Sequence, residues 1–215
     1  MKGLAPQTSR IFESIIRLEC IKPYVLVGGT ALSLQLGTRL SEDLDFMSWR
    51  KTRNERREVD WPQIQKELES IGTIEHVDIL GLDHVEFILE GVKISFYANP
   101  NYSPLKKEVV YAENLRLADL TAIGAMKMEV MLRRSKFRDY YDIYSLLEAG
   151  EDINEMMEIA LKYSGHRLKS KNLQAMITCS DRFAADRSFQ ELAPIYDISP
   201  KQIEERIISL LKQNK

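Results

Sequence analysis

Cysteine is scarce in this chain of 215 residues: Cys20 and Cys179 are too few for a disulfide framework or a four-thiolate zinc site. A reducing, cytoplasmic setting is therefore the expectation. An excess of one charge is also missing. Lys and Arg number 30 against 32 Asp and Glu, a formal charge of −2, so the molecule as a whole is no electrostatic sponge for polyanions and any such site must be local. No apolar run approaches the roughly 20 residues that cross a bilayer, and the opening MKGLAPQTSR has no apolar signal core. Membrane insertion and secretion are both disfavoured. The histidines His76, His84 and His166 match no metal-ligand spacing. What the chain does have is 44% hydrophobic and 29% charged residues, the composition of a folded protein with one substantial core or two smaller ones.

The hydrophobic pattern predicts a mixed α/β (α+β) chain. An amphipathic helix is expected between Pro6 and Ile21, ended by Pro23, with Tyr24 to Val27 as a short buried strand. Gly28-Gly29 breaks that strand, Thr30 to Leu36 reads as a helix, and Asp43 to Met47 resumes strand character. A helix from about Pro62 precedes three candidate strands, Glu75 to Leu80, His84 to Leu89 and Val92 to Tyr97, separated by turns as in a meander. Beyond about Asn114 the periodicity is almost entirely helical. The expected division is a core at residues 1–113 and a helical carboxy-terminal domain at 114–215.

Two features of the opening unit have chemical meaning. Gly28-Gly29-Thr30 follows a buried strand and opens a helix, where bare backbone and free amide groups suit a phosphate, although a plain tight turn would read the same way. Asp43-Leu44-Asp45 places two carboxylates on one face of a strand, a donor pair suited to magnesium, or equally a solvent-facing edge. Twelve residues separate Thr30 from Asp43, enough for a short helix that returns the chain beside its first strand. Phosphate turn and metal pair would then be neighbours.

Two later segments add ionisable groups. A helix from Leu117 to Arg134 presents Leu120, Ile123, Met126, Val130 and Met131 as its apolar stripe, with Lys127 on its flank and room left beside it by Gly124. Buried there, the ammonium would require an anionic partner; snorkelling, it would require none. Further on, Arg138-Asp139-Tyr140-Tyr141-Asp142 sets Asp139 and Asp142 on neighbouring positions of one helix face, with helix capping as the simpler role for Asp139.

Together Val27-Gly28-Gly29-Thr30-Ala31-Leu32 and Arg39-Leu40-Ser41-Glu42-Asp43-Leu44-Asp45-Phe46 resemble the nucleotidyltransferase superfamily, and within it the AbiEii/AbiGii toxin-type branch. Asp119-Leu120 through Ala125-Met126-Lys127 and the run Arg138 to Leu147 resemble two further segments of that branch. The resemblance implies a minimal nucleotidyltransferase-fold sheet with flanking helices, followed by helices that complete the nucleotide site. It implies Asp43, Asp45, Lys127 and Asp139 as catalytic residues, and Asp43 and Asp45 as ligands of Mg2+. Gly28, Gly29, Thr30, Lys127, Arg138 and Asp142 would bind the nucleoside triphosphate, with Asp142 serving otherwise to orient Arg138.

One departure stands out: Ser95 occupies the place where a third carboxylate is expected, with Glu86 on the preceding strand as a substitute. Arg50, Lys51, Arg53, Arg56 and Arg57, and then Arg133, Arg134, Lys136 and Arg138, are expected to flank the site and could hold an RNA backbone. Trp49 would stack there or simply pack. The resemblance implies an RNA acceptor, the 3′ end of a transfer RNA, and a toxin with a cognate antitoxin or a role in phage defence. Transfer to a small molecule such as an aminoglycoside, and an inactive nucleotide- or partner-binding module, are the alternatives.

Overall fold

The computed structural model describes residues 2–52, 58–165, 167–183 and 187–213. By internal contacts it comprises two units, residues 1–103 with 107–119 and residues 104–106 with 120–215.

The first unit is built on a seven-stranded sheet. Helix α1 (Pro6–Ile15) starts with proline in its first turn, and Thr8, Ile11, Phe12 and Ile15 form its buried stripe. Strand β1 (Val25–Val27) runs directly into α2 (Gly28–Leu36), and Gly37, at φ 64°, closes that helix in the left-handed conformation. After β2 (Leu44–Trp49) comes α3 (Trp61–Glu69), where the Asp60 side chain accepts a hydrogen bond from the Gln63 amide. Strands β3 (Ile74–Gly81), β4 (His84–Leu89) and β5 (Val92–Asn99) form the expected antiparallel meander. Then come β6 (Glu108–Val110) and β7 (Arg116–Ala118), and the strand order is β3-β4-β5-β2-β1-β7-β6.

The sheet has two unlike faces because residues alternate across it. Leu44, Ile94 and Phe87 form one buried row, and Phe46, Phe96 and Val85 the next, with Phe46 and Phe96 stacked at 5.0 Å. The opposite face carries Asp45, Ser95, Glu86 and Asp78 in register across β2, β5, β4 and β3. A register slip of one residue would bury this polar row, so the apolar rows fix where Asp45 sits.

One expectation needs correction here. Leu117 does not open a helix; it pairs in parallel with Leu26 as the centre of β7. A strand of three residues is too short to show an alternating signal, and the helical pattern that follows conceals it.

The second unit contains α4 (Leu120–Val130), α5 (Phe137–Glu148), α6 (Ile153–Tyr163), α7 (Ser170–Ile177) and α8 (Pro200–Gln213). Asp152 caps α6 by accepting from the Asn154 amide at 2.7 Å. Tyr140 stacks on Phe183 at 4.2 Å and donates its hydroxyl hydrogen to the Ile177 carbonyl at 2.7 Å. Gly124 does not leave open space beside Lys127. A Cβ there would lie 2.1 Å from Met156 Sδ, so the missing side chain lets α6 pack against α4. The apolar stripe is also rotated from the expected one: Leu120, Met126 and Val130 are half-buried, whereas Lys127 is buried. No helix among the described residues is long and apolar enough to cross a membrane.

Candidate active site

In the first unit, backbone pairing brings the glycine turn to the carboxylates. Val27 is the register partner of Asp45 across the antiparallel β1–β2 pair, so the residue after Val27 must lie beside that carboxylate. Gly28 has φ +68°, and a Cβ on it would stand 3.0 Å from Asp45 Oδ2. Glycine is thus needed twice, for the conformation and for the close approach. Asp43 and Asp45 are both half-buried, alternating with fully buried Leu44 and Phe46.

The surroundings hold this arrangement in place. Ser95, opposite Asp45 on β5, donates its hydroxyl to Asp45 Oδ1 at 2.7 Å. The position expected to carry a third acid therefore orients the second. Glu86 is one strand further along the same row, about 10 Å from Asp45 by strand spacing, with its Oε1 3.5 Å from both Lys93 Nζ and His84 Nε2. Thr30 is buried, with its hydroxyl engaged by Ser41 Oγ at 2.9 Å and by the Asp43 carbonyl. It ties α2 to the start of β2, so the unpaired groups of the turn are the backbone N–H groups that open α2.

Sequence reasoning passed over Arg39. It is 4% exposed, donates from Nη1 to its neighbour Leu40's carbonyl at 2.8 Å, and lies so close to Gly29 that a Cβ there would be 2.5 Å from Nη2. A buried guanidinium against a bare-backbone turn marks the site with positive charge. The signal was the arginine four residues before Asp43 in the motif itself.

In the second unit, Lys127, Asp139 and Asp142 come together. Lys127 Nζ lies 2.7 Å from Asp139 Oδ1 and 2.7 Å from Asp142 Oδ2, with both aspartates fully buried. The snorkelling alternative for Lys127 is excluded, since its side chain is 9% exposed. Arg134 adds a fork onto Asp139, from Nε to Oδ2 at 2.8 Å and from Nη2 to Oδ1 at 3.0 Å. Burial alone would raise the pKa of Asp139, but Lys127 and Arg134 outweigh it and hold the carboxyl at about 2. Asp139 is thus an ion-pair member rather than a simple cap. Asp142 pairs with Lys127, and Arg138 is half-buried in the first turn of α5.

The basic clusters divide differently from expectation. Arg50 and Lys51 follow directly on β2, Arg50 about 17 Å from Asp45 at five residues of extended chain, so they lie at the other end of the sheet. Arg53, Arg56, Arg57 and His166 lie outside the described residues. Trp49 is buried and packs rather than standing free. Arg133 and Arg167 both reach Glu129, at 2.5 and 3.6 Å. Among the described residues, no three His, Cys, Asp or Glu side chains are grouped to hold a metal ion. The protein's share of a cation site would be the Asp43–Asp45 pair, which suits Mg2+, an ion that takes one or two carboxylates and completes its shell with water and substrate phosphate.

The nucleotidyl transferase AbiEii toxin family, of the type IV toxin–antitoxin system, matches residues 10–213. An uncharacterized protein of Aquifex aeolicus (strain VF5) is 22% identical over 199 residues, 92% of each chain. A crystal structure from H. pylori, provisionally assigned as a nucleotidyltransferase, has a TM-score of 0.57 at 19% identity over 99% of both chains. That likeness concerns the fold. JHP933 from Helicobacter pylori matches at a TM-score of 0.44 and 18% identity, over 99% of this chain and all of the other.

Proposed function

This chain belongs to the nucleotidyl transferase AbiEii toxin family, and from that premise we propose that it moves a nucleoside monophosphate from an NTP to a hydroxyl of RNA. The acceptor on this reading is the 3′ end of a transfer RNA, and the biological role is that of a toxin whose action a cognate antitoxin counters. The observation that carries the reading is the bare backbone of Gly28 set against Asp45 Oδ2. Triphosphate oxygens and their counter-cation need those two features side by side.

Asp43 and Asp45 would hold magnesium, which when bound offsets triphosphate charge and polarises the α-phosphate. The chain's own groups then have separate tasks. Backbone N–H groups of Gly28, Gly29 and Thr30, at the amino terminus of α2, receive phosphate oxygens, with Arg39 behind them. Ser95 keeps Asp45 turned toward the turn. Lys127 has three N–H donors, two of them directed at Asp139 and Asp142. The acceptor hydroxyl attacks the α-phosphorus, its proton passing to water, as the bond to the bridging oxygen of the β-phosphate breaks and pyrophosphate leaves.

Incubation with magnesium, α-labelled NTPs and total RNA tests this, comparing the native chain with Asp45→Ala. Label on RNA from the native chain and none from the variant is the expected result. Equal labelling by both would contradict the role given to Asp45, and labelling of small alcohols without RNA would replace the acceptor.

A further inference from the structure

At the end of the sheet where β1 begins and β2 and β5 finish, a cleft of about 470 Å3 opens within the first unit. It falls in the size range of ligand sites, and its position is opposite the end that carries Asp45. Lys22, Arg50, Lys51 and Arg116 line it, against Glu58 and Glu108. Arg116 is braced by Glu108 at 3.1 Å and by the Lys22 carbonyl, and Lys22 by Glu19 at 2.6 Å. Arg50 differs: its Nε–H is enclosed and meets no acceptor. An enclosed donor left unmet is costly, and such a group implies a partner that the protein itself does not supply.

We propose that this cleft is a second anion site that takes a backbone phosphate of the acceptor RNA. The assignment rests on RNA as the acceptor in the reaction above, and two observations favour a polynucleotide over a free phosphate. The cationic side chains that line the cleft come from three separate segments of the chain, around Lys22, Arg50 with Lys51, and Arg116. In addition, β2 carries Asp45 near one end and leads into Arg50 at the other, about 17 Å away. A ligand engaging both ends must be a chain. Arg50 would supply a planar fork to one phosphate, with Lys22, Lys51 and Arg116 giving the field that draws the strand in.

The test measures fluorescence anisotropy of a labelled short single-stranded RNA, without NTP, over a salt series for native, Arg50→Ala, Arg50→Lys and Lys201→Ala proteins. Arg50→Ala is expected to weaken binding severalfold for unrelated sequences alike, and to lower the slope of log K against log salt by about 0.7, one phosphate contact on a single strand. Arg50→Lys should keep most of that slope, which separates lost charge from misfolding. Lys201→Ala, removing a charge outside the cleft, should alter neither quantity. Unchanged affinity and slope in Arg50→Ala would overturn the site. Displacement of the RNA by stoichiometric AMP or inorganic phosphate would overturn its assignment to a polynucleotide. RNA binding with the expected Arg50 dependence but no label transfer would leave this site standing and remove the reaction.

Discussion

Replacing Asp139 by asparagine tests the buried ion cluster in sign as well as size. Asp139 is fully enclosed. Burial would raise its pKa, but Lys127 and Arg134 bring it from an ordinary 3.8 down to about 2. At about 1.4 kcal/mol per unit, that depression contributes about 2 kcal/mol to folding at neutral pH. Because the folded value lies below the unfolded one, the stability is fully present above about pH 5 and is lost as pH falls toward 2. A protonated aspartic acid is nearly isosteric with asparagine, so native and Asp139→Asn proteins should differ by about 2 kcal/mol at pH 7 and converge as acid is added. Urea unfolding followed by helical circular dichroism, at intervals between about pH 7 and pH 3, measures the gap. A gap that stays constant, or that widens on acidification, would refute the reasoning. Lys127→Met is the harsher change, since it leaves Asp139 and Asp142 buried with one cation fewer; the expected loss is about 3–5 kcal/mol.

Gly28→Ala should lower stability by about 1–2 kcal/mol through its left-handed backbone and should abolish label transfer, because the new methyl presses on Asp45 Oδ2; normal turnover would show that the close approach is not required. Ser95→Asp puts a carboxylate where a hydroxyl now meets Asp45. Its melting temperature in EDTA should fall below that of the native chain, and added magnesium should raise it by more than it raises the native value; equal magnesium shifts would argue against a cation at this place. Burial, with Glu67 beside it, pushes the Cys20 thiol up to about 12, so at pH 8 a disulfide reagent should modify Cys179 in the folded chain and leave Cys20 untouched until urea is added. Rapid loss of two thiols without denaturant would contradict that.

The parts of the fold most legible in the sequence were those with a sustained period. Within the meander β4 alternates strictly and β5 does so over Val92 to Phe96, and α1 shows its stripe at Ile11 and Ile15. Strand β7 was not legible, because three residues between a loop and a helix carry no period. For Lys127 periodicity leaves burial and snorkelling equally open, because the two buried aspartates from α5 that make its burial tolerable are twelve or more residues away in sequence. In the first unit the turn and the acids could be anticipated together, since the spacing from Thr30 to Asp43 almost dictates the return of the chain. The Ser95 hydroxyl on Asp45, the guanidinium of Arg39 against Gly29 and the fork of Arg134 on Asp139 depend on register and packing. No single-sequence pattern encodes those distances.

The central claim is that the Gly28 turn, with Asp43 and Asp45 beside it, holds the triphosphate and its cation. A crystal structure with magnesium and a non-hydrolysable NTP tests it most directly. The account predicts a cation on both aspartates and phosphate oxygens on the amides of Gly28 to Thr30. A nucleotide bound away from Asp45, with its phosphates clear of the Gly28 turn, would contradict it.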